Sequence, residues 1–172
     1  SILDRHENIA LVASARNVID DRSTVIKIWS EYDGKLGYRG SRIIQDCLIE
    51  QKNKIGEPSV VLFRKKHAAR GFDVRYRQAV DLELWFHILE QGDFAFLEEP
   101  LCSFRIHYQQ QTKVNMGDID LAEEPFLLLH DYANKPYIAM PLLVREYMHY
   151  VPVYALWKLY KNERISRKAA LD

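Results

Sequence analysis

The stretch "IALVASARNVI", Ile9 to Ile19, decides the fold class. It opens with a continuous apolar run and passes into alternation, with valine and isoleucine enriched. A run this short, followed by the turn residues "DDRST", reads as a buried strand. Before it, "SILDRHEN" reads as the last turn or two of a helix. After it, "VIKIW" (Val25 to Trp29) alternates like a second strand. "EYDGKLGYRG" carries three glycines in ten residues and reads as loop. Ser41 is placed to cap the next helix, "RIIQDCLIEQK", in which Ile43, Ile44, Cys47 and Leu48 share one face. "SVVLF" (Ser59 to Phe63) is compact and β-branched between turn residues, so a third, buried strand is expected there. "KKHAARGFD" reads as a short helix stopped by Gly71.

"QAVDLELWFHIL" (Gln78 to Leu89) follows. Leu82, Trp85, Phe86 and Leu89 fall at i, i+3, i+4 and i+7, an apolar helical stripe, with Glu83, His87 and Glu90 largely off it. Gly92 is expected to end this helix. "FAFLEEPLCSFRIHY" gives two short strand-like pieces around Pro100. Beyond Tyr108 the pattern turns helical. Asp118 can cap "IDLAEEPFLLLHDYA", with Pro125 in or breaking it, and a last helix carries a kink at Pro152. Strands and helices thus interleave to about Tyr108 and helices follow: an α/β body with a helical extension.

Size and composition bound what this chain does. At 172 residues, 48% apolar and 28% charged, it is long enough to bury one core. Lys+Arg and Asp+Glu both number 24, so no basic excess argues for nucleic acid. Cys47 and Cys102 lack CxxC spacing and read as buried or half-buried thiols of a reducing compartment. No uncharged apolar run approaches the ~18 residues of a membrane-spanning helix, and the charged start is not a signal peptide.

Several residues could carry chemistry, and each has a plainer reading. Asp81 stands where a helix opens, and the residues alone put N-capping ahead of catalysis. Glu83 suits the positive end of the helix dipole. No reciprocal capping box exists, because Leu84 stands at the position that needs Glu or Gln. Arg105 and His107 would share one face of a strand, either as a phosphate or metal contact or as a surface pair. No second His or carboxylate lies near them at metal-ligand spacing. Asp118-Ile119-Asp120 spells a metal-holding carboxylate pair but reads as capping. "WKLYKNERISRK" reads as an amphipathic helix with a solvated basic tail ahead of a membrane-surface segment.

Taken together, Ser59-Val60-Val61 with Arg64, Gly71-Phe72-Asp73, Asp81 with Leu84-Trp85 and Leu89, Gly92, and Leu101 with Phe104-Arg105-Ile106-His107 resemble the second half of a family 2 glycosyltransferase of the GT-A fold. The resemblance covers roughly Ser1 to Thr112. It implies that residues 1–115 are the acceptor-side half of a GT-A mixed sheet with flanking helices, and 116–172 a helical extension. It implies an inverting transfer from a nucleotide sugar to a glycan or lipid-linked acceptor, with Asp81 as general base. His107 and Arg105 would lie near the donor diphosphate, with His107 a candidate metal ligand. Gly56, Ser59 and Trp85 would lie on the acceptor side.

Two departures stand out. Val80 replaces the acidic residue that often precedes the family's base. No nucleotide-binding strand or DxD lies between Ser1 and Tyr108. A divalent metal, Mg or Mn, is therefore expected of the intact enzyme and none of this chain alone, which is expected not to transfer sugar by itself. The alternative reading is a non-catalytic binding or dimerisation module, pairing through an open sheet edge or the C-terminal helices. The family reading implies a cytoplasmic setting, at the inner face of the membrane if the C-terminal segment touches lipid.

Overall fold

A computed structural model describes residues 1–107 and 124–138 of the chain. It is an α/β arrangement built on one mixed sheet. The order along the chain is α1 (Ile2–Arg5), β1 (Ile9–Ile19), β2 (Val25–Trp29), β3 (Leu36–Tyr38), α2 (Gly40–Glu50), a 3-10 turn (Pro58–Val60), β4 (Val61–Phe63), a second 3-10 turn (Lys65–Ala68), α3 (Val80–Leu89), β5 (Asp93–Arg105) and α4 (Glu124–Tyr132).

β1 is the axis, as its apolar run leads one to expect. It is buried along nearly its whole length and pairs in parallel with β5. Its other edge is divided between two antiparallel partners, β4 against Leu11 to Ala13 and β2 against Arg16 to Ile19. β3 closes the far side of β5. A parallel pair needs a crossover between its strands, and α2 and α3 lie in that connection. Ile43, Ile44, Cys47 and Leu48 of α2 meet Trp85, Phe86, Ile88 and Leu89 of α3 over Leu11, Ala13, Phe94 and Phe96 of the sheet. Leu128, Leu129 and Tyr132 of α4 join the same cluster. Leu3, Ile9, Val12 and Ala95 form a smaller cluster with α1. Arg64 ties that helix down. Its Nε donates to Ile9 O (3.2 Å) and its Nη2 to His6 O (3.1 Å) and Leu3 O.

Several expectations are corrected. The Glu31 to Gly40 loop contains a strand, β3, too short and too glycine-rich to show a period. The residue before α2 is Arg39, so Ser41 lies inside the helix and caps nothing. "SVVLF" splits into a 3-10 turn and a three-residue edge strand whose Leu62 is 55% exposed, so it is not a buried strand. "FAFLEEPLCSFR" is one strand against β1 instead of two. The register jumps from Ser14↔Leu97 to Arg16↔Cys102, and Pro100 sits in the resulting bulge, where its missing N–H costs no ladder bond. The segment before Gly71 holds a 3-10 turn, Lys65–Ala68, instead of an α-helix.

Gly92 does not cap α3, which ends at Leu89. A Cβ there would lie 2.7 Å from Asn8 O and 2.9 Å from Ala10 Cβ, so glycine lets this turn close onto β1. Pro125 sits in the first turn of α4, where a proline is tolerated. Asp118-Ile119-Asp120, the Pro152 kink and the basic C-terminal segment lie outside the described residues. Both cysteines are free. Among the described residues, no helix is long and apolar enough to cross a membrane.

Candidate functional site

The site begins at the loop between α2 and β4. Asn53 Oδ1 accepts the N–H groups of Ile55 (3.1 Å) and Gly56 (2.9 Å), and Asn53 Nδ2 donates to Gly56 O (3.2 Å). Trp85 Nε1, from α3, donates to the same carbonyl at 3.0 Å. Gly56 holds φ +127°, and a Cβ there would stand 2.4 Å from Val60 Cγ1 and 3.3 Å from Arg16 Nη1. Glycine is therefore required both by conformation and by space. Two residues far apart in sequence, Gly56 and Trp85, are thus brought into one contact.

The loop presents Glu57 to Arg16. Arg16 rises from the middle of β1 and is 3% exposed, with its Nε 2.9 Å from Glu57 Oε2 and its Cζ 5.0 Å from the Trp29 ring centroid. The two charges touch, but the contact is not a well-directed hydrogen bond at Arg16 Nε or Glu57 Oε2. The Glu57 charge also reaches Asp81. Asp81 is half-buried, and it is the second helical residue of α3, since the cap position is Ala79. The capping role expected of Asp81 is thus corrected. Its Oδ1 accepts the adjacent Leu82 N–H, at 2.7 Å. Burial holds its carboxyl above the ordinary 3.8, the Leu82 amide opposes this, and the Glu57 charge adds to the rise. Arg16 thus pairs with Glu57, and Glu57 in turn acts on Asp81 as a like-charged neighbour. Cys102, opposite Arg16 on β5, feels the same pair. Burial raises its thiol, Arg16 lowers it and Glu57 raises it again.

Ser59 is exposed in the 3-10 turn that follows. With Ser14, Val60, Leu101 and Cys102 it lines a hollow of about 210 Å³ beside the bulge of β5. Arg105 and His107 stand elsewhere. Exposure alternates along 102–107, so both do share a face, but Arg105 pairs with Ile19 at the end of β1. That is three strand residues, about 10 Å, beyond Arg16. Arg105 Nη1 donates to Asp20 O (2.6 Å) and its Nη2 to Ser23 Oγ (3.0 Å), bracing the β1–β2 turn where Ser23 has φ +66°. His107 is exposed just past β5. Among the described residues, no group of three or more His, Cys, Asp or Glu side chains is placed to hold a metal ion.

Arg16 and Glu57 are the site residues that sequence reasoning misses. One signal existed: an arginine inside an otherwise apolar strand must find a counter-charge if the strand is buried. The run reads as a buried strand, without that need being followed through to Arg16. Compared with known proteins, the chain matches no family model and no curated protein.

Proposed function

We propose that this chain forms the acceptor-side half of an inverting glycosyltransferase of GT-A type, with Asp81 as the general base. The observation that carries the reading is Asp81 itself, a half-buried carboxylate at the start of α3 whose proton affinity is raised by burial and by Glu57. A carboxylate with raised affinity is a better proton acceptor at neutral pH while still ionised. In the proposed step the acceptor hydroxyl loses its proton to Asp81 as its oxygen bonds to the anomeric carbon. The bond from that carbon to the phosphate oxygen breaks, and the nucleoside diphosphate leaves with the electron pair. Glu57 and the Gly56 carbonyl loop, pinned by Trp85, shape the wall on the acceptor side. The donor nucleotide, and the Mg or Mn ion that would neutralise its diphosphate, belong to the other half of the enzyme.

The test is release of nucleoside diphosphate by the full-length protein from a panel of nucleotide sugars with acceptor. Asp81→Asn is expected to lower turnover by about 10²- to 10⁴-fold. Activity at the parent level in a folded Asp81→Asn protein removes Asp81 as the base.

A second reading, an assembly module, has one observation in its favour. Val25, Ile26 and Ile28 of the edge strand β2 are 53%, 54% and 56% exposed. Apolar edges of this kind favour strand pairing between chains. A dimer in light scattering that Ile26→Lys dissociates supports it, and a strictly monomeric protein counts against it.

A further inference from the structure

We infer that Glu124 is a positioning residue for Asp81, fixing the backbone that enters α3 from a helix far along the chain. Glu124 is 4% exposed, and its carboxylate faces three successive backbone amides. Arg77 N–H donates to its Oε1 at 2.7 Å, Gln78 N–H lies 2.9 Å from both oxygens, and Ala79 N–H donates to its Oε2 at 2.6 Å. A carboxylate is a strong acceptor for successive backbone amides that converge on one point. The same helix, α4, grips the preceding two residues. Arg75 Nη2 and Tyr76 OH donate to Asp131 Oδ2 at 2.7 and 3.1 Å. The run from Arg75 to Ala79 is thus fastened at both ends by α4, and Asp81 follows two residues later.

Local capping could not do this. Val80 and Asp81 offer no side chain to amides 77–79, and Asp81 spends its own oxygen on Leu82. With Glu124 removed, amides 77–79 lose this acceptor and the start of α3 gains freedom to move, although Asp131 still holds Arg75 and Tyr76. A displacement of about 1 Å is enough to spoil proton transfer. Asp81 is also its own position gauge, because its proton affinity depends on burial and on the facing Glu57, itself paired to Arg16.

The inference rests on reading Asp81 as the base, but its test needs no substrate. Asp81 is followed by carboxyl NMR titration in the parent and in Glu124→Gln. The midpoint is expected to shift down toward the ordinary 3.8 in a Glu124→Gln protein of parent-like circular dichroism. Lys135→Met serves as control, because it breaks the Lys135–Glu90 pair (2.8 Å) at the other end of α3 and leaves the 75–79 run untouched. An unmoved midpoint in folded Glu124→Gln, or an equal shift in Lys135→Met, overturns the inference. If Glu124→Gln does not fold, amide exchange in the parent decides. Protection at Arg77, Gln78 and Ala79 matching the α3 interior supports the clamp, and loop-like exchange there overturns it. A failed transfer assay leaves this result standing, and an unmoved midpoint leaves the proposed transfer standing.

Discussion

At Gly56, two constraints meet in one residue: a positive φ that side chains avoid and a contact distance that no Cβ can occupy. Gly56→Ala is expected to cost about 2–3 kcal/mol, the sum of backbone strain and local overpacking. Urea unfolding with an unchanged slope checks this, and adding Val60→Ala should recover part of the loss by removing the methyl that the new Cβ meets. Trp85→Phe keeps the ring against Phe63 but deletes the N–H bonded to Gly56 O. It should cost about 1 kcal/mol, the usual net worth of such a bond. The two thiols differ in the same local way. Burial pushes Cys47 up to about 12, so it is a packing residue of α2 rather than a nucleophile.

Among the elements, α3 departs most from its pattern. Its sequence gives an apolar stripe, yet Leu84, Ile88 and even Glu83 are buried beside that stripe. On the Glu83 side the reason is α4, whose Tyr132 reaches both Glu83 and Phe86. Glu83 is tolerated there because Arg70 Nη2 binds both its oxygens (3.0 and 2.7 Å) and Tyr132 OH donates to its Oε1 (2.7 Å). Removing one partner of a buried charge leaves the others unsatisfied. Glu83→Ala is expected to cost about 2–4 kcal/mol, discounted because the Arg70 side chain is 35% exposed. A double-mutant cycle with Tyr132→Phe should show a coupling of about 1 kcal/mol, and strict additivity would dismiss the contact. Local periodicity made α2 legible, since its buried face is a single stripe. It could not reveal that α3 is wrapped, because the wrapping residues lie some 40 positions later.

The whole molecule's response to pH follows from carboxylates shifted in opposite directions. For Asp131, burial works against ionisation, but hydrogen bonds from His130, Arg75 and Tyr76 more than offset it, so its carboxyl lies below 3.8. Asp73 is held low chiefly by the Arg75 side chain and amide. Both contribute stability that is present above 3.8 and lost as pH falls through their lowered values. Asp81 has the other sign. Its folded form binds a proton more readily than the unfolded chain, so stability declines as pH rises from 3.8 through its raised value. Asp81→Asn should therefore raise the thermal midpoint at pH 7, and the gain should close as pH falls toward 3.8. Melting curves at stepped pH read both limbs. A stabilised but inactive variant is the pattern expected where function imposes a stability cost.

The sequence by itself determined the strands at Ile9–Ile19 and Val25–Trp29 and the buried face of α2, because each is written in the period of neighbouring side chains. It also singled out Asp81, Gly56 and Trp85. Only the tertiary structure decided what these residues touch. It moved Asp81 off the cap position and set it under the charge of Glu57, which pairs with Arg16. It placed "SVVLF" at an edge, and it gave the amides that lead into α3 to Glu124. The physical reason is the same in each case. A helix end or a buried charge needs some partner to satisfy it, but the need does not say where in the chain that partner lies.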